Sequence, residues 1–291
     1  MILNLIKSLI THPLNSKDKL KAILRFVRWQ ISVRINKFPI VYPFTENSKL
    51  IIAKGMTGAT GNLYCGLHEF YDMGFLLHFL RDDDVFVDVG ANIGSYTILA
   101  SAEIGAKSIS IEPVPLTFCY LKDNIALNNI VNLVEAHNVG LAGSTGSIKF
   151  TGNLDTVNHV ATNEDKDVIE VQVNTLDCIV DKRNPCLIKI DVEGYESEVL
   201  KGACETLINP SLKALIVELN GSGERYGYDD DDVHKKIIDS GFSSFEYDPF
   251  SRVLSPIRTY GNQNTIYIRD IDFVKKRISE ARKININDFK I

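Results

Sequence analysis

A doubly wound, mostly parallel α/β sheet is the fold this sequence predicts. Strand-like apolar runs alternate with helical patterns through the middle of the chain, four of those runs stop on a carboxylate, and the first turns into a helix through Gly-x-Asn-x-Gly. Alternation matters because parallel strands need a crossover, usually a helix, between them. The acids and the glycine turn matter because open α/β sheets hold their ligands at the carboxyl ends of the strands.

In chain order, residues 1–40 hold five Lys and three Arg against Asp18 alone, a charge of +7 that leaves −12 for the rest of a chain whose net charge is −5. Within them, 16–37 places Leu20, Ile23, Leu24, Val27 and Ile31 at helical spacing among basic residues. This basic amphipathic helix has two readings: it docks on the domain and closes one side of the site, or it meets an anionic membrane surface or a lipid-linked substrate, where Trp29 and the arginines suit an interface. Nucleic acid has no supporting motif. Residues 38–63 predict a small β-hairpin lid that ends in a Gly/Thr/Asn-rich turn near Gly58 to Asn62, and a helix is expected from about Leu67 to Leu80.

The core follows. Strands are predicted near 85–89, 107–111, 132–136, 187–191 and 213–219, and helices near 94–104, 115–128, 196–208 and 230–240. A polar insertion at 143–173 with alternating runs predicts a hairpin over the ligand edge, and Ser-Ser-Phe-Glu-Tyr and Asn-Thr-Ile-Tyr-Ile supply two later strands. The expected division is an N-terminal helix and lid at 1–63, the main domain at 64–270, and a helical tail at 271–291. With 45% hydrophobic residues, 291 positions suffice for such a core.

The strand-ending acids are Asp88, Glu112, Asp191 and Glu218. Side by side they raise one another's pKa unless a cation or a set of hydroxyls joins them, and they repel phosphate. The turn also lacks the Gly-Lys-Ser/Thr of a P-loop, and Asn92 stands where a dinucleotide fingerprint needs its second glycine. A nicotinamide-dependent dehydrogenase is thereby disfavoured. A ligand with ribose hydroxyls, an adenine, an ammonium and a sulfonium suits the edge, and S-adenosylmethionine has all of these. Glu112, 24 positions after Asp88, is placed to accept both ribose hydroxyls. Gly90, Ala91, Asn92 and Gly94 form the turn against which that ligand lies. For Asp88 a role at the ligand edge competes with satisfying backbone N–H groups of the turn, and for Asn92 ligand contact competes with capping the next helix.

Several segments in order resemble the FkbM-type methyltransferases of the class I S-adenosylmethionine-dependent fold. They are Glu69, Val-Asp-Val-Gly-Ala-Asn-Ile-Gly at 87–94, Ile-Glu-Pro at 111–113, Asn138, and Ile-Lys-Ile-Asp-Val-Glu-Gly-Tyr-Glu-Ser-Glu-Val-Leu-Lys-Gly-Ala at 188–203. The resemblance covers roughly 64–220. It implies a Rossmann-like sheet of seven strands with an antiparallel final pair, and S-adenosylmethionine as methyl donor. It also implies Glu69 at the donor's amino-acid end, Asn138 near its adenine, and acceptors such as hydroxyls of surface polysaccharide or glycolipid precursors or of natural products. A helix N-terminal acid is the competing reading of Glu69.

Transfer from a sulfonium needs positioning and, for a hydroxyl acceptor, removal of a proton. Asp191, expected to position donor or acceptor, and Glu193, expected on the acceptor side, are the candidate groups. Capping the next helix and holding its loop is their alternative role, and His159 in the insertion is a rival base. Asp191, Glu193 and Glu218 have the chemistry to collect Mg²⁺, but an organic donor accounts for the acids and no His/Cys cluster suggests zinc or iron, so no metal is expected. Five cysteines without a Cys-x-x-Cys pair read as buried thiols in a reducing compartment. No apolar run is long enough to span a membrane, and the first residues lack a signal peptide's charge order and cleavage site. The cytoplasm is the expected location, with the inner membrane surface as the place where the basic helix would sit. Oligomerisation is left open, and a non-catalytic S-adenosylmethionine-binding scaffold of the same fold is the alternative function.

Overall fold

The computed structural model describes residues 2–35, 38–152, 158–162, 164–261 and 263–291, with side chains from residue 5 onward. Parts of the predicted basic helix (36–37) and of the polar insertion (153–157 and 163) lie outside the described residues. Two helices open the chain, α1 (Ile2–Thr11) and α2 (Lys19–Ile35), followed by the antiparallel hairpin β1 (Ile40–Pro43) and β2 (Lys49–Ile52). Where a turn was expected at 58–62, helix α3 (Thr57–Cys65) forms instead, because Ala59, Gly61 and Asn62 are buried and the close packing of small residues outweighs their turn preference. Helix α4 (Phe70–Phe79) is almost wholly buried.

The predicted core strands are present as β3 (Val85–Val89), β4 (Lys107–Ile111), β5 (Val134–His137), β9 (Leu187–Ile190) and β10 (Ala214–Glu218). Between them, β6 (Gly140–Leu141), β7 (Gly146–Thr151) and β8 (Val168–Asn174) form a separate three-stranded sheet from the insertion. The last strands are β11 (Ser243–Asp248), β12 (Val253–Pro256) and β13 (Asn264–Ile268). The main sheet runs β12-β11-β13-β10-β9-β3-β4-β5, parallel from β10 to β5 and antiparallel at the other end. The seven expected strands are all in it, and β12 adds an eighth at the edge by pairing with β11.

Crossover helices are α5 (Ser95–Ile98), continued by a π-helical turn to Ile104, α6 (Pro115–Leu127), α7 (Leu176–Val180), α8 (Glu196–Lys201), α9 (Cys204–Ile208) and α10 (Asp230–Asp239). The helix expected over 196–208 is broken at Gly202, where a Cβ would lie 2.3 Å from the carbonyl oxygen of Ala142, and it restarts under Asp177, which accepts from Glu205 N and Thr206 N. The tail helix α11 (Ile271–Glu280) stops well before 291 and gives way to a two-residue hairpin.

Alternating side chains of each strand feed two cores. Phe86, Leu187, Ile216 and Ile266 face one way, in a cluster that also takes in Leu9, Trp29 and Ile291, so both chain ends share the core of the sheet. Val87, Ile109, Ile188, Leu215 and Val217 face the other way, under α7 to α10. Pairing aligns Ile111 with Val89, Val89 with Ile190, and Ile190 with Val217. Glu112, Asp191 and Glu218 therefore leave the sheet side by side.

Helix α2 docks with a different face from the one its pattern predicted. Ala22 and Trp29 are buried, Phe26 and Val33 pack beside them, and of the predicted stripe only Ile23 touches the core. Leu20, Leu24, Val27 and Ile31 point outward. The aromatic side buries more apolar area than the aliphatic one, so it wins the protein interior.

Candidate active site

A cavity of about 730 Å³ opens at the carboxyl edge of β3, β4, β9 and β10. Of the predicted residues, Glu69, Asp88, Gly90, Ala91, Asn92, Glu112, Asp191 and Glu193 line it, as does Glu218. Helices α1 and α3 and the insertion, through Ile148, Phe150, Asn158 and Val160, complete its walls. Gly94, Asn138 and His159 stand outside the lining.

At the β3–β4 end the carboxylates are committed to backbone. Gly90 has φ +77°, and a Cβ there would sit 1.8 Å from the carbonyl oxygen of Asp191, so only glycine lets the two strand ends meet. Gly90 N and Ala91 N donate to Ile111 O. Glu112 accepts Asn92 N on one oxygen and Val114 N on the other, both at 2.9 Å, and burial pushes its pKa up to about 7. Each oxygen keeps a lone pair for a hydroxyl. Asp88 accepts from Thr97 N and Thr97 Oγ1, which anchors α5 rather than the backbone N–H groups of the glycine turn, and it still lines the cavity. Asn92, at φ +51°, turns its side chain back to accept Ile93 N. Asn138 donates to the carbonyls of Glu112 and Pro113 and so braces the loop beneath the cavity rather than facing it.

The cation that the row of acids requires comes from the sheet itself. Lys189 is 3% exposed, its Nζ lies 2.5 Å from Asp191 Oδ2 and 4.6 Å from the centre of the Tyr96 ring, and although burial pulls its pKa down, Asp191, Glu69 and Asp88 hold it above the ordinary lysine range. A lysine inside the apolar run Leu-Ile-Lys-Ile was the available signal, since lysine is almost never buried unpaired. Beside it, Asn264 Nδ2 donates to Glu69 Oε1 at 3.0 Å and to Asp72 Oδ2 at 3.2 Å. Burial and then the Glu69 charge push Asp72 up to about 7. Glu69 holds the N-cap position of α4 without capping it, so its carboxylate is turned to the cavity. Asp72 and Asn264 were not read from sequence; they come together across 192 residues.

At the β9–β10 end the carboxylates crowd one another. One oxygen each from Asp191, Glu193 and Glu218 falls within a 4.8 Å group, the set that could hold a cation. Burial and then Asp191 push Glu193 up to about 7, and burial with both neighbours pushes Glu218 further; Glu218 Oε2 is buried with no hydrogen-bond partner among the described residues. The loop-holding role considered for Asp191 and Glu193 belongs instead to Glu196, which accepts Val192 N and Gly194 N. Glu193 sits at φ +54°, in the left-handed region, and lines the cavity. Tyr195, also in the lining, contacts Tyr226 edge-on at 5.3 Å. His159 turns its Nε2 to Asp165, at 3.4 Å.

The Methyltransferase FkbM domain family matches residues 88–244 of the chain. Over 172 residues the chain is 31% identical to the hexuronic acid methyltransferase AglP of Haloferax volcanii, a match covering 58% of this chain and 67% of that protein. It is likewise 31% identical over 147 residues to methyltransferase 1 of Beauveria bassiana, covering 42% of this chain and 59% of that one. A crystal structure of methyltransferase FkbM from Methylobacillus flagellatus is 19% identical, with a TM-score of 0.46 over 73% of this chain and 55% of that one. With more than half of its residues matched by the family, and the strand-end acids and glycine turn in place around one cavity, the chain belongs to the FkbM methyltransferases, enzymes of the Rossmann-like class I fold whose methyl donor is S-adenosylmethionine.

Proposed function

We propose that this enzyme moves a methyl group to a hydroxyl of a saccharide, with Glu193 as the base. The observation that carries the reading is the carboxylate group at the β9–β10 end, where Glu193, with its pKa raised to about 7, shares the cavity lining with Asp191, Glu218 and Tyr195. A relative named for hexuronic acid supports a sugar acceptor.

The residues fit the donor. Glu112 has free lone pairs for ribose hydroxyls, and Glu69 with Asp72 offers anionic oxygens to an ammonium. When bound, S-adenosylmethionine supplies a methyl group on a positively charged sulfur, a leaving group that needs no protonation. What remains for the chain is to hold the acceptor and take its proton. Glu193 accepts that proton, Asp191 is held in place by Lys189, and Glu218, protonated at neutral pH, keeps a third negative charge out of the site. Tyr195, in the cavity lining, offers the acceptor an aromatic contact. The base is a carboxylate in this scheme, so chelation by EDTA leaves the rate unchanged. All five cysteines are free, Cys65 and Cys186 buried and Cys119, Cys178 and Cys204 exposed, which supports a reducing compartment such as the cytoplasm although the thiols are not all buried as expected. Among the described residues no helix is long and apolar enough to cross a membrane.

The test is calorimetric titration with S-adenosylmethionine, its demethylated product and NAD, followed by methyl transfer to a panel of uronic acids and neutral sugars. Binding of the two sulfur compounds, no NAD signal and turnover on a sugar is the expected result. Binding without turnover on any hydroxylated acceptor would overturn it in favour of a scaffold.

A further inference from the structure

Helix α2 is apolar on two opposite sides, and only one of them is used. Ala22, Phe26, Trp29 and Val33 meet the core. On the far side Leu20, Leu24, Val27, Ile31 and Ile35, at steps of three and four, are 67, 45, 42, 53 and 80% exposed. Single exposed aliphatics are ordinary, but five in one row along a helix of about 25 Å form a contiguous patch, and such patches mark interaction surfaces.

The charges around the patch select its occupant. At about 100° per residue Arg28 and Arg34 fall on its two edges. The helix contains no acidic residue, and Lys7, Lys19, Arg28 and Arg34 are exposed without an ion pair among the described residues. A second copy packed α2 against α2 would bring two basic rims together. Anionic lipid headgroups would neutralise them while the aliphatic row enters the acyl boundary. The remaining 251 residues carry −12, so an anionic surface attracts this end alone and fixes its orientation.

We propose that α2 lies in the interface of an anionic bilayer, with its aliphatic row inserted and its basic edges among the headgroups. The active-site cavity is walled by Leu5, Ser8 and Leu9 of α1, by His12 just after it, and by Gln30 of α2. The helix that touches lipid thus borders the cavity through Gln30, and the saccharide is presented on a lipid carrier. This last part rests on the proposed function, whereas membrane binding does not.

Flotation of the full-length chain with phosphatidylcholine vesicles, with and without phosphatidylglycerol, tests the proposal. The expected result is about tenfold or more protein on the anionic vesicles, weakened by high salt. The Leu24→Glu/Ile31→Glu variant should lose this binding and keep calorimetric binding of S-adenosylmethionine, since both positions are exposed. No preference for anionic vesicles, or binding untouched by the double substitution, overturns the proposal. A dimer in sedimentation that the same substitutions dissociate overturns it too, by giving the row to a second copy. Vesicle binding without donor binding would leave this inference standing and sink the enzymatic reading.

Discussion

The two ends of the cavity are built from the same residue type at equivalent strand ends, yet they differ in what holds the carboxylates. At the β3–β4 end Glu112 accepts backbone N–H groups from the turns beside it, and Asp88 accepts Thr97 N of α5. At the β9–β10 end Asp191, Glu193 and Glu218 face mainly one another, with Lys189 as the balancing cation. Burial raises the proton affinity at both ends, bringing the pKa of Glu112 and Glu193 alike to about 7. Backbone donors fix Glu112 as a rigid acceptor, whereas Glu193 has the Asp191 carboxylate beside it. On the proposed function, the first end binds the donor and the second takes the acceptor's proton.

The largest effect should come from the second end. Glu193→Gln is expected to lower kcat by about 10²- to 10⁴-fold with donor affinity unchanged, as for loss of a general base. Because the Glu193 pKa is raised to about 7, the ionised, active fraction grows as pH rises through 7, so the wild-type rate climbs there and the variant's residual rate does not. A variant that loses donor affinity instead would move Glu193 to the binding end.

Next comes the cation between the ends. Lys189→Met leaves the partly buried Asp191 beside other acids with no countercharge, and a loss in denaturant unfolding below the about 3 to 5 kcal/mol of a fully buried pair is expected. A melting curve like the wild type's would show that protonation alone relieves the crowding.

The smallest effect is predicted at the first end. Glu112→Ala should weaken donor binding by about 1 to 3 kcal/mol, read by calorimetry, and leave kcat at saturating donor nearly intact. A hydroxyl-accepting carboxylate with its pKa at about 7 also makes wild-type donor affinity rise from pH 6 to pH 8, since binding favours the ionised form and releases the proton. Unchanged affinity in the variant would erase the contrast between the ends.

Much of this was legible in the sequence. Strand-ending acids and the glycine turn gave the sheet, its order of use and the cavity's floor, because period-two burial and positive-φ glycines are local requirements. Asn138 and His159 were misplaced for a different reason: their neighbourhood in the chain is near the site, but their side chains turn to the Glu112 loop and to Asp165. Helix α2 shows the limit most plainly. Its spacing announces an aliphatic stripe, but with apolar residues on two sides, periodicity alone does not say which side the protein keeps.

By itself, then, the sequence determined the fold class, the donor, and the carboxylates at the sheet edge, all of which follow from backbone geometry and residue type within short stretches. Only the tertiary structure decided which carboxylates accept backbone N–H groups and which crowd one another, that Asp72 and Asn264 join Glu69, that Lys189 is the countercharge, and that α2 leaves its aliphatic row in solvent. Those outcomes depend on burial and on partners far apart in the chain, and desolvation and Coulomb energies are set by where groups meet in space.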